Sequence, residues 1–126
     1  MRIEHVAIWV TDLEQSREFF TRYFNATTGE RYENPTRQFV SYFLTFPDDG
    51  ARLELMAKPG LDAAKAESIG WAHLAISLGS ETAVDALALR LTNEGYRVVD
   101  GPRRTGDGYY EAVVLGPDEI RIEITV

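Results

Sequence analysis

The chain repeats itself. Glu4-His5-Val6-Ala7-Ile8 is answered by Ala72-His73-Leu74-Ala75-Ile76 at an offset of 68, and Arg52-Leu53-Glu54-Leu55-Met56 by Arg121-Ile122-Glu123-Ile124-Thr125 at an offset of 69. Two matches in the same order at nearly one offset mark a duplicated unit. Each copy opens on a His-bearing apolar segment and closes on an Arg-apolar-Glu-apolar segment. This restricts the fold strongly, because whatever one copy forms, the other must be able to form too.

Both copies contain the same predicted elements. Ile3–Val10 alternates and is rich in β-branched residues, which predicts a strand. Asp12 caps a helix that runs to about Phe24, with Gln15 completing a capping-box pattern, Leu13, Phe20 and Phe24 on one face, and Asn25 as the stop. Strands are predicted over Thr28–Tyr32, Phe39–Phe46 and Arg52–Ala57, with a turn at Asp48-Asp49-Gly50. In the second copy Trp71–Leu78 is a strand and Ser80 a helix cap. Val84, Leu87, Ala88 and Leu91 form an amphipathic stripe, and Gly95 ends the helix. Tyr96–Val99, Tyr110–Leu115 and Ile120–Val126 are the remaining strands, and Arg103–Gly108 is a predicted mobile loop. The organisation is one domain over 1–126, made of a module at 1–57, a connector at 58–70 with a helical turn over Leu61–Ile69, and a module at 71–126. Each module reads β-α-β-β-β, an α+β plan with helices on one side of each sheet.

Composition limits the chemistry. The 126 residues are 44% hydrophobic, enough for a core, and carry a net charge of −7 with a pI near 4.8. Duplex nucleic acid needs clustered Lys and Arg, and the one tight basic pair is Arg103-Arg104; no nucleic acid is expected as a partner. No apolar run approaches the ~18 residues of a membrane span, and Met-Arg-Ile-Glu-His lacks the apolar core of a signal peptide. A cytoplasmic protein without membrane contacts is expected. There is no Cys, so thiolate nucleophiles, thiolate metal ligands and disulfides are excluded. Any metal must be held by His nitrogen and carboxylate oxygen.

Strand alternation then selects the ligands. Val6, Ile8 and Val10 share one face of the first strand, opposite His5, Ala7 and Trp9. Leu53 and Leu55 oppose Arg52, Glu54 and Met56. Leu74, Ile76 and Leu78 oppose Trp71, His73, Ala75 and Ser77. Ile120, Ile122, Ile124 and Val126 oppose Arg121, Glu123 and Thr125. The aliphatic faces suit helix packing, which leaves both histidines of the chain and two carboxylates on the opposite faces. A single His or Glu on such a face is ordinarily structural or solvated. The same pair at equivalent places in both copies points to a metal set of His5, Glu54, His73 and Glu123, suited to Zn²⁺, Ni²⁺, Co²⁺, Fe²⁺ or Mn²⁺.

The repeat, these four residues and the βαβββ plan resemble the vicinal oxygen chelate superfamily, the glyoxalase, bleomycin-resistance and dioxygenase group. The likeness is strongest over MRIEHVAIWVTD (1–12), RLELM (52–56), GWAHLAIS (70–77) and GDGYYEAVVLGPDEIRIEITV (106–126). It implies two paired βαβββ modules forming a curved-sheet cup, the glyoxalase-like fold, around one divalent ion per site, most often Ni²⁺ or Zn²⁺. Within the group the sequence is most similar to glyoxalase I, lactoylglutathione lyase, whose His-Glu-His-Glu order falls on His5, Glu54, His73 and Glu123. Branches that transfer thiols to antibiotics or cleave aromatic rings use two His and one Glu, so Glu54 is the discriminating residue. The resemblance implies isomerisation of an α-oxoaldehyde–thiol hemithioacetal, with Glu123 as base and Glu54 as its catalytic partner. The alternatives are a thiol transferase or oxygenase on the same scaffold, and a metal-free drug-binding protein, which would need no His-Glu pairs.

Two positions depart from that pattern. Trp9 stands four residues after the first His, where bacterial lyases carry an Arg, and Lys58 stands four after the first Glu, where they carry an Asn; both replaced residues contact glutathione. Trp9 is then a stacking wall for another substrate or a packing residue. Phe39, Tyr42, Phe43 and Phe46 line a pocket or pack the core. Arg103, Arg104, Gly106, Asp107, Gly108 and Tyr109 form a lid or a plain connector. Arg52 and Arg121 pair with carboxylates, anchor an anionic substrate, or stand free at the surface. Trp9, Phe39, Tyr42, Arg52, Arg104, Tyr109 and Arg121 are accordingly the candidate substrate contacts. The family resemblance also implies a homodimer, with His5 and Glu54 of one copy completing a site with His73 and Glu123 of the other.

Overall fold

In the computed structural model, residues 1–48, 50–63 and 69–126 are described. The expected turn at Asp48–Gly50 includes Asp49, and the helical turn over Leu61–Ile69 includes 64–68; both lie partly outside the described residues. The chain forms two compact units, Met1–Ala63 and Ala64–Val126. The architecture is mixed α+β, with one α-helix and one sheet among the described residues of each unit. No described helix is long and apolar enough to cross a membrane.

The first unit begins with β1 (His5–Trp9) and α1 (Leu13–Phe24). The Asp12 carboxylate accepts the Gln15 amide at 2.9 Å, filling one of the donors a helix start leaves open. Asn25 ends the helix at φ 52°, a left-handed position that Asn tolerates. Leu13, Phe20 and Phe24 are buried as expected, and Phe19, Tyr23 and Ser16 join them. β2 (Thr27–Thr28), β3 (Tyr32–Asn34), β4 (Phe39–Thr45) and β5 (Arg52–Ala57) complete the sheet, in the order β1-β5-β4-β2 with β3 also on β4. The helix packs on β4 and β5, against Leu44, Leu53 and Leu55, each 2% exposed or less. Burying an aliphatic or aromatic side chain of this size contributes roughly 1.5–3 kcal/mol.

The expected strand Thr28–Tyr32 is two short strands instead. Between the pairs Thr28↔Leu44 and Tyr32↔Ser41 one side advances by four residues and β4 by three. One residue is therefore squeezed out, and the ladder breaks into β2 and β3.

The second unit repeats the plan with β6 (Leu74–Ser77), α2 (Glu81–Asn93), β7 (Val98–Arg104), β8 (Tyr110–Leu115) and β9 (Arg121–Thr125), in sheet order β6-β9-β8-β7. Ser80 Oγ accepts the Ala83 amide at 3.2 Å. Val84, Leu87, Ala88 and Leu91 are all buried, and Gly95 takes the left-handed conformation just past the helix. A 3-10 turn at Pro117–Glu119 joins β8 to β9.

The expectation for Arg103–Gly108 needs correction. Arg103 and Arg104 belong to β7, paired with Glu111 and Tyr110. Gly101-Pro102 looks like a strand stop in sequence, but the register slips on both sides of Asp100 and absorbs it. Gly101 has φ +74°, and a Cβ there would meet the Glu111 carbonyl at 2.5 Å, so only glycine lets the strands stay paired. The remaining residues form a tight hairpin turn. Thr105 N donates to Tyr109 O at 2.8 Å, Gly108 N donates to Thr105 O at 3.1 Å, and Thr105 Oγ1 donates to Asp107 at 2.5 Å.

Candidate metal centre

In each unit the first and last strands are parallel neighbours, and this brings His and Glu together. The register Ala7↔Glu54 and His5↔Arg52 makes His5 and Glu54 diagonal neighbours on one face of the first sheet. Their Nε2 and Oε2 atoms are 3.9 Å apart. In the second unit Glu123 pairs with Ala75, His73 lies just ahead of β6, and His73 Nε2 stands 3.4 Å from Glu123 Oε2. The two pairs are exposed to the same degree: the His side chains are 41% and 42% exposed, the Glu side chains 14% and 17%. A mostly covered carboxylate beside a reachable imidazole is therefore built twice.

These pairs fit a divalent ion. Two ligands bound at about 2.0–2.2 Å to one tetrahedral centre stand about 3.4 Å from each other; the unit-two pair has that spacing and the unit-one pair is half an ångström looser. Imidazole nitrogen with carboxylate oxygen suits Zn²⁺, Ni²⁺, Co²⁺, Fe²⁺ or Mn²⁺. Among the described residues no group of three or more His, Asp or Glu is gathered tightly enough to hold an ion by itself. Each unit thus brings together one His and one Glu.

The surroundings of the two pairs differ. In unit one, Phe43 is the cross-strand partner of Glu54 and meets the His5 ring edge-on at 5.2 Å. Arg52 stacks over Phe43 at 4.2 Å and its Nη2 donates to Glu4 at 2.5 Å. Glu4 also touches His5 Nδ1 at 2.5 Å. The His5 ring, then Arg52, hold the Glu4 carboxyl below its usual range. Further along the same face Trp9 meets Phe39 edge-on at 6.4 Å, Phe39 meets Tyr32 at 5.8 Å, and the Lys58 ammonium lies 4.9 Å from the Trp9 ring centre. The two residues that depart from the lyase pattern, Trp9 and Lys58, are in contact with each other.

In unit two the neighbour is acidic. Val113 lies across from Glu123, and Glu111 is diagonal to it. Burial first, then the charge of Glu123, push the Glu111 carboxyl above the usual carboxylate range. Asp100 and Arg103 join at 2.5 Å on β7.

Of the candidate substrate contacts, Trp9, Phe39 and Arg52 share the His5–Glu54 face, and Arg121 shares the Glu123 strand, exposed. Tyr42 and Arg104 do not belong with the pairs. Tyr42 is level with Leu55 on the helix side of its sheet, and its hydroxyl donates to Glu14 of α1 at 3.0 Å. Arg104 is level with Tyr110, and its guanidinium pairs with Glu81 of α2. Tyr110 likewise donates to Asp85 of α2, at 2.7 Å. These contacts fasten helix to sheet. Tyr109 is exposed at the end of the hairpin turn. Sequence reasoning missed Glu4, Tyr32 and Glu111. Alternation along β8, with Glu111 two residues from Val113, was the available signal for Glu111. For Glu4 alternation misleads, because a residue next to His5 is expected on the other face.

Residues 2–124 match the Glyoxalase/Bleomycin resistance protein/Dioxygenase superfamily, and the chain belongs to that superfamily. A relative in Bacillus subtilis (strain 168), an uncharacterized protein named YqjT, is 28% identical over 128 residues, 97% of this chain and 96% of its own. A glyoxylase/bleomycin resistance protein/dioxygenase domain from Frankia sp. EAN1pec superposes with a TM-score of 0.86 at 21% identity, covering 100% of this chain and 97% of its own. The trypanothione-dependent glyoxalase I of Leishmania major superposes at 0.79 with 23% identity, covering 99% of this chain and 86% of its own. The expected glyoxalase-like fold is thus the fold this chain has.

Proposed function

We propose that this chain is a metal-dependent isomerase of the glyoxalase I type, acting on the hemithioacetal of an α-oxoaldehyde such as methylglyoxal with a thiol. The observation that carries the reading is the duplicated His–Glu pair, with a carboxylate at position 54 as well as at 123. His5, Glu54, His73 and Glu123 hold one divalent ion, Ni²⁺ or Zn²⁺ before Co²⁺, Mn²⁺ or Fe²⁺. When bound, such an ion stabilises negative charge developing on the substrate oxygens, worth several kcal/mol.

The protein's own part is proton transfer. Glu123 takes the proton from the thiol-bearing carbon, and a carboxyl, Glu54 or its water, returns a proton to the adjacent carbon, so the substrate is isomerised without net loss or gain of atoms. General acid–base help of this kind contributes about 10²–10⁴-fold. Trp9, Phe39, Tyr32 and Lys58 give the substrate an aromatic wall with a cation on it, which favours a thiol other than glutathione. The assembly is a homodimer, in keeping with the symmetric oligomers common among soluble proteins.

The decisive experiment loads the purified protein with Ni²⁺ or Zn²⁺ and assays it with methylglyoxal and a panel of thiols. Isomerisation with at least one thiol is expected, together with one ion per chain by metal analysis and a dimer by light scattering. No bound ion after loading overturns the catalytic reading. A bound ion without isomerisation of any hemithioacetal moves the protein to another metal-dependent reaction of its superfamily.

A further inference from the structure

The unit-one pair carries an attachment that the unit-two pair lacks. Glu4 Oε2 lies 2.5 Å from His5 Nδ1, while Glu4 Oε1 receives Arg52 Nε at 2.9 Å and Nη2 at 2.5 Å. Arg52 stacks on Phe43, and Phe43 meets the edge of the His5 ring. Carboxylate, guanidinium, phenyl and imidazole thus close a ring of contacts around His5. In a neutral imidazole one nitrogen donates and the other accepts. With Nδ1 donating to Glu4, the lone pair rests on Nε2, the atom that stands by Glu54. At the offset of 68 the position equivalent to Glu4 is Ala72, which has no acceptor to offer. Among the described residues the polar partner of the His73 ring is Glu123 alone.

We propose that Glu4 is a positioning residue that fixes the tautomer and the rotation of His5, so that the His5–Glu54 pair is pre-set to receive a metal ion and the His73–Glu123 pair is not. An outer partner on the second imidazole nitrogen commonly orients a ligating His and strengthens it as a donor. Arg52 is part of the device: two donors on one Glu4 oxygen leave the other for His5. The proposal rests on the metal reading above for its consequence, but not for the tautomer itself.

The test uses the full chain in two arms. Long-range proton–nitrogen NMR on the metal-free protein, at mildly alkaline pH where imidazoles are neutral, should find His5 as the Nδ1–H tautomer. Glu4→Ala should shift His5 toward Nε2–H and leave His73 unchanged. Glu4→Gln should shift His5 the same way, because the two Arg52 donors take its one amide oxygen and leave the NH2 group facing Nδ1. Ni²⁺ titration should show about 10- to 100-fold weaker binding in Glu4→Ala, and weaker binding in Glu4→Gln as well. His5 found mainly as Nε2–H in the wild type, or Glu4→Ala with unchanged tautomer and affinity, overturns the proposal while leaving metal binding intact. A wild type that binds no ion overturns the metal reading instead, and the NMR arm then decides Glu4's hold on His5.

Discussion

The two units build one motif in two settings. Both hold a His and a Glu on adjacent parallel strands, with matching exposure. Around His5–Glu54 stand Phe43, Arg52, Glu4 and the Trp9–Lys58 contact; around His73–Glu123 stand Val113 and a second carboxylate, Glu111. The parallel ladder that places the His–Glu pair is the same in both units, and the strand beside it differs in the residues it presents. On the isomerase reading proposed above, the difference would divide the labour: an aromatic, cationic neighbourhood suits gripping a substrate, and a carboxylate-rich one suits moving a proton.

The largest effect expected from this comparison is catalytic. Glu123→Gln should lower turnover by about 10²–10⁴-fold with the circular dichroism spectrum unchanged, and Glu54→Gln should lower it less. Equal losses would mean that the units do not divide the roles as described.

The cores come next. Unit one buries an aromatic cluster of Phe19, Phe20, Tyr23 and Phe24, whereas α2 buries only aliphatic residues. Phe20→Ala should cost about 3–5 kcal/mol and Leu91→Ala about 2–5 kcal/mol in denaturant unfolding. Two separate transitions, each moved by only one of the substitutions, would show that the units unfold independently.

Gly101→Ala affects unit two alone. A left-handed φ and a carbonyl at 2.5 Å should cost about 1–3 kcal/mol, seen as a lower melting temperature. No change would mean that the β7 slip relaxes readily.

The smallest effect is one of sign, measured on metal-free protein. The Glu4 carboxyl is held below its usual range by His5 and Arg52, so its contribution to stability is present above the unfolded carboxyl's pKa and fades as pH falls. The Glu111 carboxyl is raised by burial and by Glu123. Its contribution is therefore present at low pH and is lost as pH rises through the carboxylate range. Glu4→Gln should flatten the first dependence and Glu111→Gln the second, in melting curves taken across that range.

Local rules made much of this fold legible. Asp12 and Ser80 cap the helices as their side chains require, and Val84, Leu87, Ala88 and Leu91 are buried as their spacing demands. The His–Glu pairs were legible because duplication printed them twice on alternating strands. What escaped was whatever depends on register. The split of Thr28–Tyr32 and the extension of β7 to Arg104 follow from single-residue slips against a partner strand, which carry no local signature. Tyr42, expected among pocket-lining aromatics, and Arg104, expected in a lid, both reach for helix carboxylates instead, because the side of the sheet decides. Glu4 became visible only once its neighbours were in place.

The parallel pairing of β1 with β5, and of β6 with β9, also bears on how the protein is made. His5 and Glu54 are 49 positions apart in the chain and His73 and Glu123 are 50, so each ligand pair belongs to a contact of high sequence separation, a kind that closes slowly. Neither pair exists until the first and last strands of its unit have met. During synthesis the His5–Glu54 pair can close while the second unit is still being made, and the His73–Glu123 pair must wait until β9 has been made. A protein cut short before Glu123 would lose its second pair however well its remaining helices formed.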